Sequence, residues 1–288
     1  MKYAVIRDHL GAYSISLMCR VLSVSRSGYK KWEKRVPCVS AQRKLKMEKR
    51  VMDLFEEFEA CYGAPRLTKE LNELGYPCSE NYIAKIMSEQ GIRARNGRGF
   101  KYSRHSLSMN NVSENVLWRD FSATEVNKKW TSDITYIWVG KKWIYLATVM
   151  DLFSRKIVGW SVDTTMTEEL IGDALEMAFA RRGVAPGLIV HSDRGSQYRS
   201  QDYVDRLTKK GCKISMSRKG NCWDNAPMES FFSRLKVELI YAKNYTSMAE
   251  AKSGLFTYIE IFYNGKRRHS ANDNMSPIAF EEQAALAA

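Results

Sequence analysis

The chain has 288 residues, 44% of them hydrophobic, enough for two or three cored domains. It carries 45 Lys and Arg against 32 Asp and Glu, a net charge of +13, which favours a polyanionic partner, although solubility alone is the plain alternative. No run of about 18 apolar residues exists to span a membrane, and the charged start lacks a signal-peptide pattern, so a mature cytoplasmic protein, nucleoid-associated when on DNA, is expected. The six cysteines contain no CxxC pair, the four histidines no metal-binding pair, and no GxxxxGK[ST] loop is present. Reduced thiols are therefore expected, and neither a structural zinc site nor ATP-driven chemistry has support.

Residues 1–40 predict two short helices around a tight turn. Leu17, Met18, Val21 and Leu22 share a face, and Ser25 is placed to cap a second helix carrying Lys30 and Lys31. Residues 41–92 predict a helix with Met47, Val51, Leu54, Phe55 and Phe58 inward. A hairpin follows: Leu67, Leu71 and Leu74 line its first helix, and Ser79 caps the second, which presents Tyr82, Ile83, Ile86 and Met87. Both segments have a helix-turn-helix outline suited to major-groove reading, which an ordinary helical hairpin shares. Of the 45 cations, 22 lie in residues 1–125 against 14 acids, giving +8 there. Residues 93–125 begin with Arg93, Arg95, Arg98, Lys101 and Arg104 with no acid among them. Such a stretch reads as a linker able to lie along phosphates, or simply as a solvated one.

From residue 126 to 245 the pattern becomes β-β-β-α-β-α-β-α. Three strands separated by GKK and SRK turns are followed by helices alternating with short apolar strands, predicting a mixed α/β sheet with helices on both faces. Residues 246–288 predict a helix opened by a Ser247–Glu250 capping box, with Ala251, Leu255, Tyr258, Ile259 and Phe262 inward, then a basic tail containing Arg267, Arg268 and His269, which are expected to meet phosphate or solvent.

Three carboxylates stand out. Asp133 shares a strand face with Thr131, Thr135 and Ile137, an unusual place for a merely solvated acid. Asp193 lies just past the carboxyl end of the strand GLIVH, where sites form in sheets with helical crossovers. Glu229 lies in the first turn of a helix that Asn225 is placed to cap. Carboxylates from three elements can hold two divalent ions for phosphodiester chemistry, and hard oxygen donors suit Mg²⁺ or Mn²⁺. The 35-residue interval from Asp193 to Glu229 is weak by itself: residues 126–288 hold 18 acids, so chance supplies about one pair at any chosen spacing. Asp151 reads as a fourth carboxylate or a turn cap, and His191 as a water-orienting group or a satisfied strand-end histidine. Trp223 and Asn225 read as DNA contacts or as loop formers. Ser196 lacks a GxSxG setting, which argues against a serine nucleophile.

Together, WTSDITYI, HSDRGSQY and GNCWDNAPMESFFSRLKVE, closed by YNGKRRHSANDNMSP, resemble the OrfB-type transposases of bacterial insertion sequences over nearly the whole chain. The resemblance implies a ribonuclease-H-like integrase core with an Asp133, Asp193, Glu229 catalytic and metal-binding triad and two Mg²⁺ or Mn²⁺ per site. It also implies that Lys236, seven residues after Glu229, contacts DNA. The implied activity is a DDE polynucleotidyl transferase that cleaves element ends on double-stranded DNA and joins them to a target. A homo-oligomer on DNA and a partner protein from an upstream reading frame are further expectations. A metal-dependent nuclease without joining, or a DNA-binding regulator on a decayed core, are the alternatives.

Overall fold

The computed structural model describes residues 2–36, 38–95, 113–184, 186–218 and 222–287. Arg98, Lys101 and Arg104 lie outside these residues. The chain divides into two compact units, Met1–Glu59 with Leu67–Ile92, and Ala60–Arg66 with Arg93–Ala288.

The first unit is helical. Helices α1 (Lys2–Asp8), α2 (Ile15–Val21) and α3 (Arg26–Glu33) surround a small core of Ile6, Met18, Cys19 and Tyr29. The Oγ atoms of Ser14 and Ser25 accept from the amides of Leu17 and Gly28, fixing where α2 and α3 begin. The expected α2 face is only half right. Met18 is buried, but Val21 is 72% exposed and Cys19 takes its place, because α1, unforeseen in the sequence, packs against that side of α2. Helix α4 (Val39–Glu57) buries Met47, Val51 and Leu54 and packs on α6 (Glu80–Glu89), which contributes Ile83, Ile86 and Met87. Between them runs α5 (Ala64–Glu73), whose Leu67 and Leu71 are buried, while Leu74 falls beyond the helix end and is exposed. Ser79 caps α6 by accepting from the Tyr82 amide.

The second unit is built on a five-stranded sheet. Its strands are β1 (Lys129–Val139), β2 (Lys142–Asp151), β3 (Ile157–Asp163), β4 (Ile189–Ser192) and β5 (Lys213–Met216), in the order β3-β2-β1-β4-β5. β1–β2–β3 are antiparallel, while β4 and β5 run parallel to β1. Parallel pairing requires crossovers, supplied by α7 (Glu168–Arg182) and α8 (Gln201–Lys209). Alternation along β1 divides its side chains between two cores. Trp130 joins Leu170, Ala174 and Leu175 of α7 and Leu207 of α8 on one face. Ile137 and Val139 join the other, filled by α9 (Ala226–Glu238) and α10 (Met248–Phe256). Gly159 allows α7 to lie directly on β3: a Cβ there would overlap the Ala174 carbonyl and stand 2.8 Å from the Ala178 nitrogen.

The last segment is part of this core. Helix α10 continues into a π-helical stretch, Thr257–Tyr263, that buries Tyr258, Ile259 and Tyr263, and α11 (Pro277–Ala287) follows. The expected basic tail is corrected here. The Arg267 guanidinium is buried against Glu238 through bonds of 2.8 and 2.7 Å, and Tyr258 donates to the same carboxylate at 2.8 Å. The His269 ring packs edge-on to Tyr263 at 4.8 Å. Arg268 donates through its amide to Tyr62 and through its guanidinium to the Asn274 carbonyl. Arg267 is thus neutralised by a buried acid and Arg268 is held partly by a local carbonyl, while Lys266 of the same run is exposed.

Candidate functional site

Strand register explains why Asp133 and Asp193 meet. β1 and β4 pair in parallel only from Lys129 to Thr131, with Thr131 opposite His191. Each aspartate comes two residues after that last pair, so both stand where the strands begin to part. Asp133 is half-buried. One of its carboxylate oxygens accepts from the Ile134 amide at 2.8 Å, the other from the Asn225 side chain at 3.2 Å. Burial pushes its carboxyl well above the usual range. The Asp193 charge adds to this, the Ile134 bond opposes it, Glu229 raises it further and Lys236 pulls it down. Asp193 is likewise raised by desolvation, against the Gly195 amide, which donates to it at 2.8 Å, and the Arg199 charge. Tyr198 is buried close by and shares a 3.0 Å bond with Ser132.

Glu229 is half-buried in the first turn of α9, anchored by Met228, Phe231, Phe232 and Leu235. Its charge reaches Asp133 more weakly than that of Asp193. The structure therefore brings Asp193 near Asp133, with Glu229 close enough for its charge to act on Asp133. Among the described residues, no three His, Cys, Asp or Glu side chains form a ready metal cage.

Asn225 does not cap α9 with its side chain. Its amide bridges the site instead, accepting from Thr131 Oγ1 at 2.5 Å while donating to Asp133. A carboxylate only accepts, so Asp133 takes the amide N–H, and the amide oxygen is left to accept from the Thr131 hydroxyl. The neighbouring Asp224, missed in the sequence, is buried and gathers Arg119 at 2.7 Å, both the amide and guanidinium of Arg218, and Asn115 at 3.0 Å. The Arg218 bond, outweighing burial, holds its carboxyl far below the usual range. This hub fastens the start of the segment that carries Asn225 and Glu229. Its local sequence signal is Arg218 six positions earlier, whereas its second arginine partner, Arg119, lies 105 positions away.

Lys236 is not a solvated lysine. It is 6% exposed, and its Nζ lies 4.6 Å from the centroid of the Tyr136 ring. Burial lowers its pKa and the Asp133 charge opposes that. Asp151 is buried as a turn cap, accepting from the Asn127 and Phe153 amides at 2.9 and 3.0 Å. His191 is buried between Ser215 and Ser217, at 2.8 and 3.1 Å, and burial holds its pKa down to about 4. Both ring nitrogens are engaged, which leaves it a satisfied strand-end histidine. Trp223 is exposed.

Of the basic residues, Lys30 and Lys31 are exposed on α3, with Lys30 bonded to Glu33 at 2.8 Å. Arg93 is exposed. Arg95 is half-buried: its amide donates to Ala60 and its guanidinium to the Glu238 carbonyl at 2.5 Å. That guanidinium fastens the chain rather than lying open for phosphate. No described helix is long and apolar enough to cross a membrane.

Two family models described as integrase core domain match residues 123–222 and 229–284, and one described as HTH-like domain matches 41–100. Transposase InsF for insertion sequence IS3A, from Escherichia coli (strain K12), is 43% identical over 288 residues, 98% of this chain and 99% of its own length. The insertion element IS600 uncharacterized 31 kDa protein of Shigella sonnei is 41% identical over 268 residues, 92% of this chain and 98% of its own. Among solved structures, the HTLV-2 integrase catalytic core domain in complex with magnesium overlaps 55% of this chain and 98% of its own, at 18% identity and a TM-score of 0.42. Similarity to InsF at this level, over almost the full length of both chains, places the protein in the family of insertion-sequence transposases with an integrase core.

Proposed function

We propose that the chain is a DDE transposase that cleaves DNA at the ends of an insertion sequence and transfers the freed strand to a target. The observation that carries this reading is the Asp133–Asp193 pair at the parting of β1 and β4, with Glu229 in the first turn of α9 near enough to act on Asp133. Two carboxylates crowded together with raised pKa values form a hard, negatively charged donor set that a divalent cation satisfies. Asp133, Asp193 and Glu229 would hold Mg²⁺ or Mn²⁺. Two such ions, when bound, activate an oxygen nucleophile and stabilise the leaving oxygen.

The remaining work falls to the chain. Asn225, held by Thr131, keeps one Asp133 oxygen turned toward α9. The Gly195 amide holds Asp193 at the strand end. Water attacks the phosphorus at the element end; a P–O bond forms, the P–O3′ bond breaks, and the 3′ oxygen leaves with a proton as a free hydroxyl. That hydroxyl then attacks a target phosphodiester in line, exchanging one P–O bond for another with no enzyme-linked intermediate. The segment 41–100 is assigned to duplex DNA binding together with Lys30, Lys31 and Arg93, and a homo-oligomer with an upstream-frame partner completes the proposed assembly. Labelled duplexes carrying the flanking ends, incubated with Mg²⁺, test the reading. Joined products are expected. Shortened products alone would make the protein a nuclease, and intact DNA would make it a regulator.

A further inference from the structure

The far end of the β1–β2 hairpin carries an aromatic cluster that the site above does not use. Tyr136, Trp138 and Trp143 are 48, 51 and 47% exposed. Trp138 and Trp143 are cross-strand partners. Trp143 stands edge-on to both neighbours, 5.0 Å from Tyr136 and 4.8 Å from Trp138 between ring centroids. Single exposed aromatics are ordinary, but three in contact on one strand pair form a patch. The hairpin tip is held in place: Gly140 adopts a positive φ of 57° and its amide donates to the Tyr245 carbonyl at 2.8 Å.

The charges around the patch have one sign. Lys141 and Lys142 are exposed at the tip, Lys236 lies over Tyr136, and no acid occurs from Ile134 to Ile144. Two exposed lysines beside three aromatic rings, with the buried Lys236 adding its charge against Tyr136, repel a second copy of the same surface and attract a polyanion. Aromatic rings flanked by cations on a fixed strand pair are suited to nucleobases, which stack on the rings while the lysines meet phosphate. Duplex bases are already stacked on each other, so only unpaired ones fit. The patch also lies further along the strand bearing Asp133, its side chains on the opposite face, and Lys236, which contacts Tyr136 and acts on Asp133, links the two. At about 3.3 Å per residue, Tyr136 is roughly 10 Å and Trp138 roughly 17 Å further along β1. That is the reach of a few nucleotides from a phosphodiester at the carboxylates.

We infer that Tyr136, Trp138 and Trp143 form a stacking platform for unpaired nucleotides of a DNA strand next to the site of cleavage. The inference rests on the DNA reading proposed above.

The test compares three labelled DNAs on the full chain by fluorescence anisotropy: a blunt duplex, the same duplex with a short unpaired tail, and the same tail made abasic. Phosphate number is equal in the last two, so any difference reports base stacking. The tail with bases should bind about tenfold tighter than the abasic tail. Trp138→Ala and Trp143→Ala should each remove that gain while leaving blunt-duplex affinity unchanged, which also verifies folding. Trp138→Phe and Trp143→Phe should keep most of it. Equal affinity of the wild-type chain for the two tails would overturn the inference while leaving the transposase reading intact. So would alanine variants that keep the gain but lose self-association by sedimentation, since the patch would then be a contact between copies. Absence of binding to all three DNAs would instead defeat the DNA reading itself.

Discussion

Replacing Arg267 by Met should unfold the second unit at a markedly lower temperature. The guanidinium is 3% exposed and makes two charge-assisted bonds to Glu238, whose other neighbour is the Tyr258 hydroxyl. Burial alone would depress its pKa, but those bonds and the Glu238 charge overcome it and hold the group above its ordinary value. Methionine keeps the length and removes both bonds, leaving a carboxylate 3% exposed without its counter-charge. Breaking a buried pair from one side costs about 3–5 kcal/mol. For a unit of this size each kcal/mol moves the melting temperature by roughly 2–4 °C, so a fall on the order of 10 °C is expected by scanning calorimetry. The double variant Glu238→Gln, Arg267→Met removes both charges and should recover most of the loss. A fall of less than about 2 °C in Arg267→Met, under 1 kcal/mol on the same conversion, would show that the guanidinium is solvated, as a basic tail would have it.

Asn225→Ala should lower strand cleavage by roughly 10- to 100-fold with end binding unchanged, because it frees Asp133 from its link to Thr131; unchanged single-turnover rates would remove Asn225 from the site. Lys236→Glu should abolish joining and weaken crosslinking to end DNA, since it adds a further negative charge near Asp133, beside those of Asp193 and Glu229, where a positive one stood; wild-type crosslinking would leave Lys236 a purely structural residue. The histidine contribution to stability should fall as pH drops from about 6.5 toward 4, against the raised Asp133 and Asp193 carboxyls, which act with the opposite sign. Burial holds the folded His191 near pKa 4 and His269 near 3, so in that window the unfolded chain binds protons that the folded chain excludes. From pH 7 to 5 His191 alone should contribute a loss of about 2 kcal/mol in urea unfolding, and His191→Asn should flatten that part of the slope.

Local chemistry made much of the fold readable. Ser25, Ser79 and Ser247 cap helices as their spacing suggests, and the strands follow from their composition and the turns between them. Asp133 is conspicuous because it shares a strand face with the apolar Ile137, and Asp193 because it ends a buried strand. Periodicity marks a face that can be buried, but the partner that buries it is tertiary information. Val21 and Leu74 lie on such faces and remain exposed. Arg267 looked solvated because the acid that neutralises it lies 29 positions earlier. Asn225 looked like a helix cap because a short polar side chain before a helix usually is one; here Thr131 and Asp133, more than 90 positions away, compete for its amide and win. The aromatic hairpin read as ordinary strand composition, since exposure is invisible in a run of Tyr and Trp.

The account stands most directly on the joining reaction of three conservative variants. Asp133→Asn, Asp193→Asn and Glu229→Gln keep the shape of each side chain and leave the basic surfaces intact. With labelled element ends, Mg²⁺ and full-length protein, each should bind the ends as the wild type does and yield neither cleaved nor joined product. Near-normal joining by any one of them would contradict the assignment of these carboxylates to the chemistry.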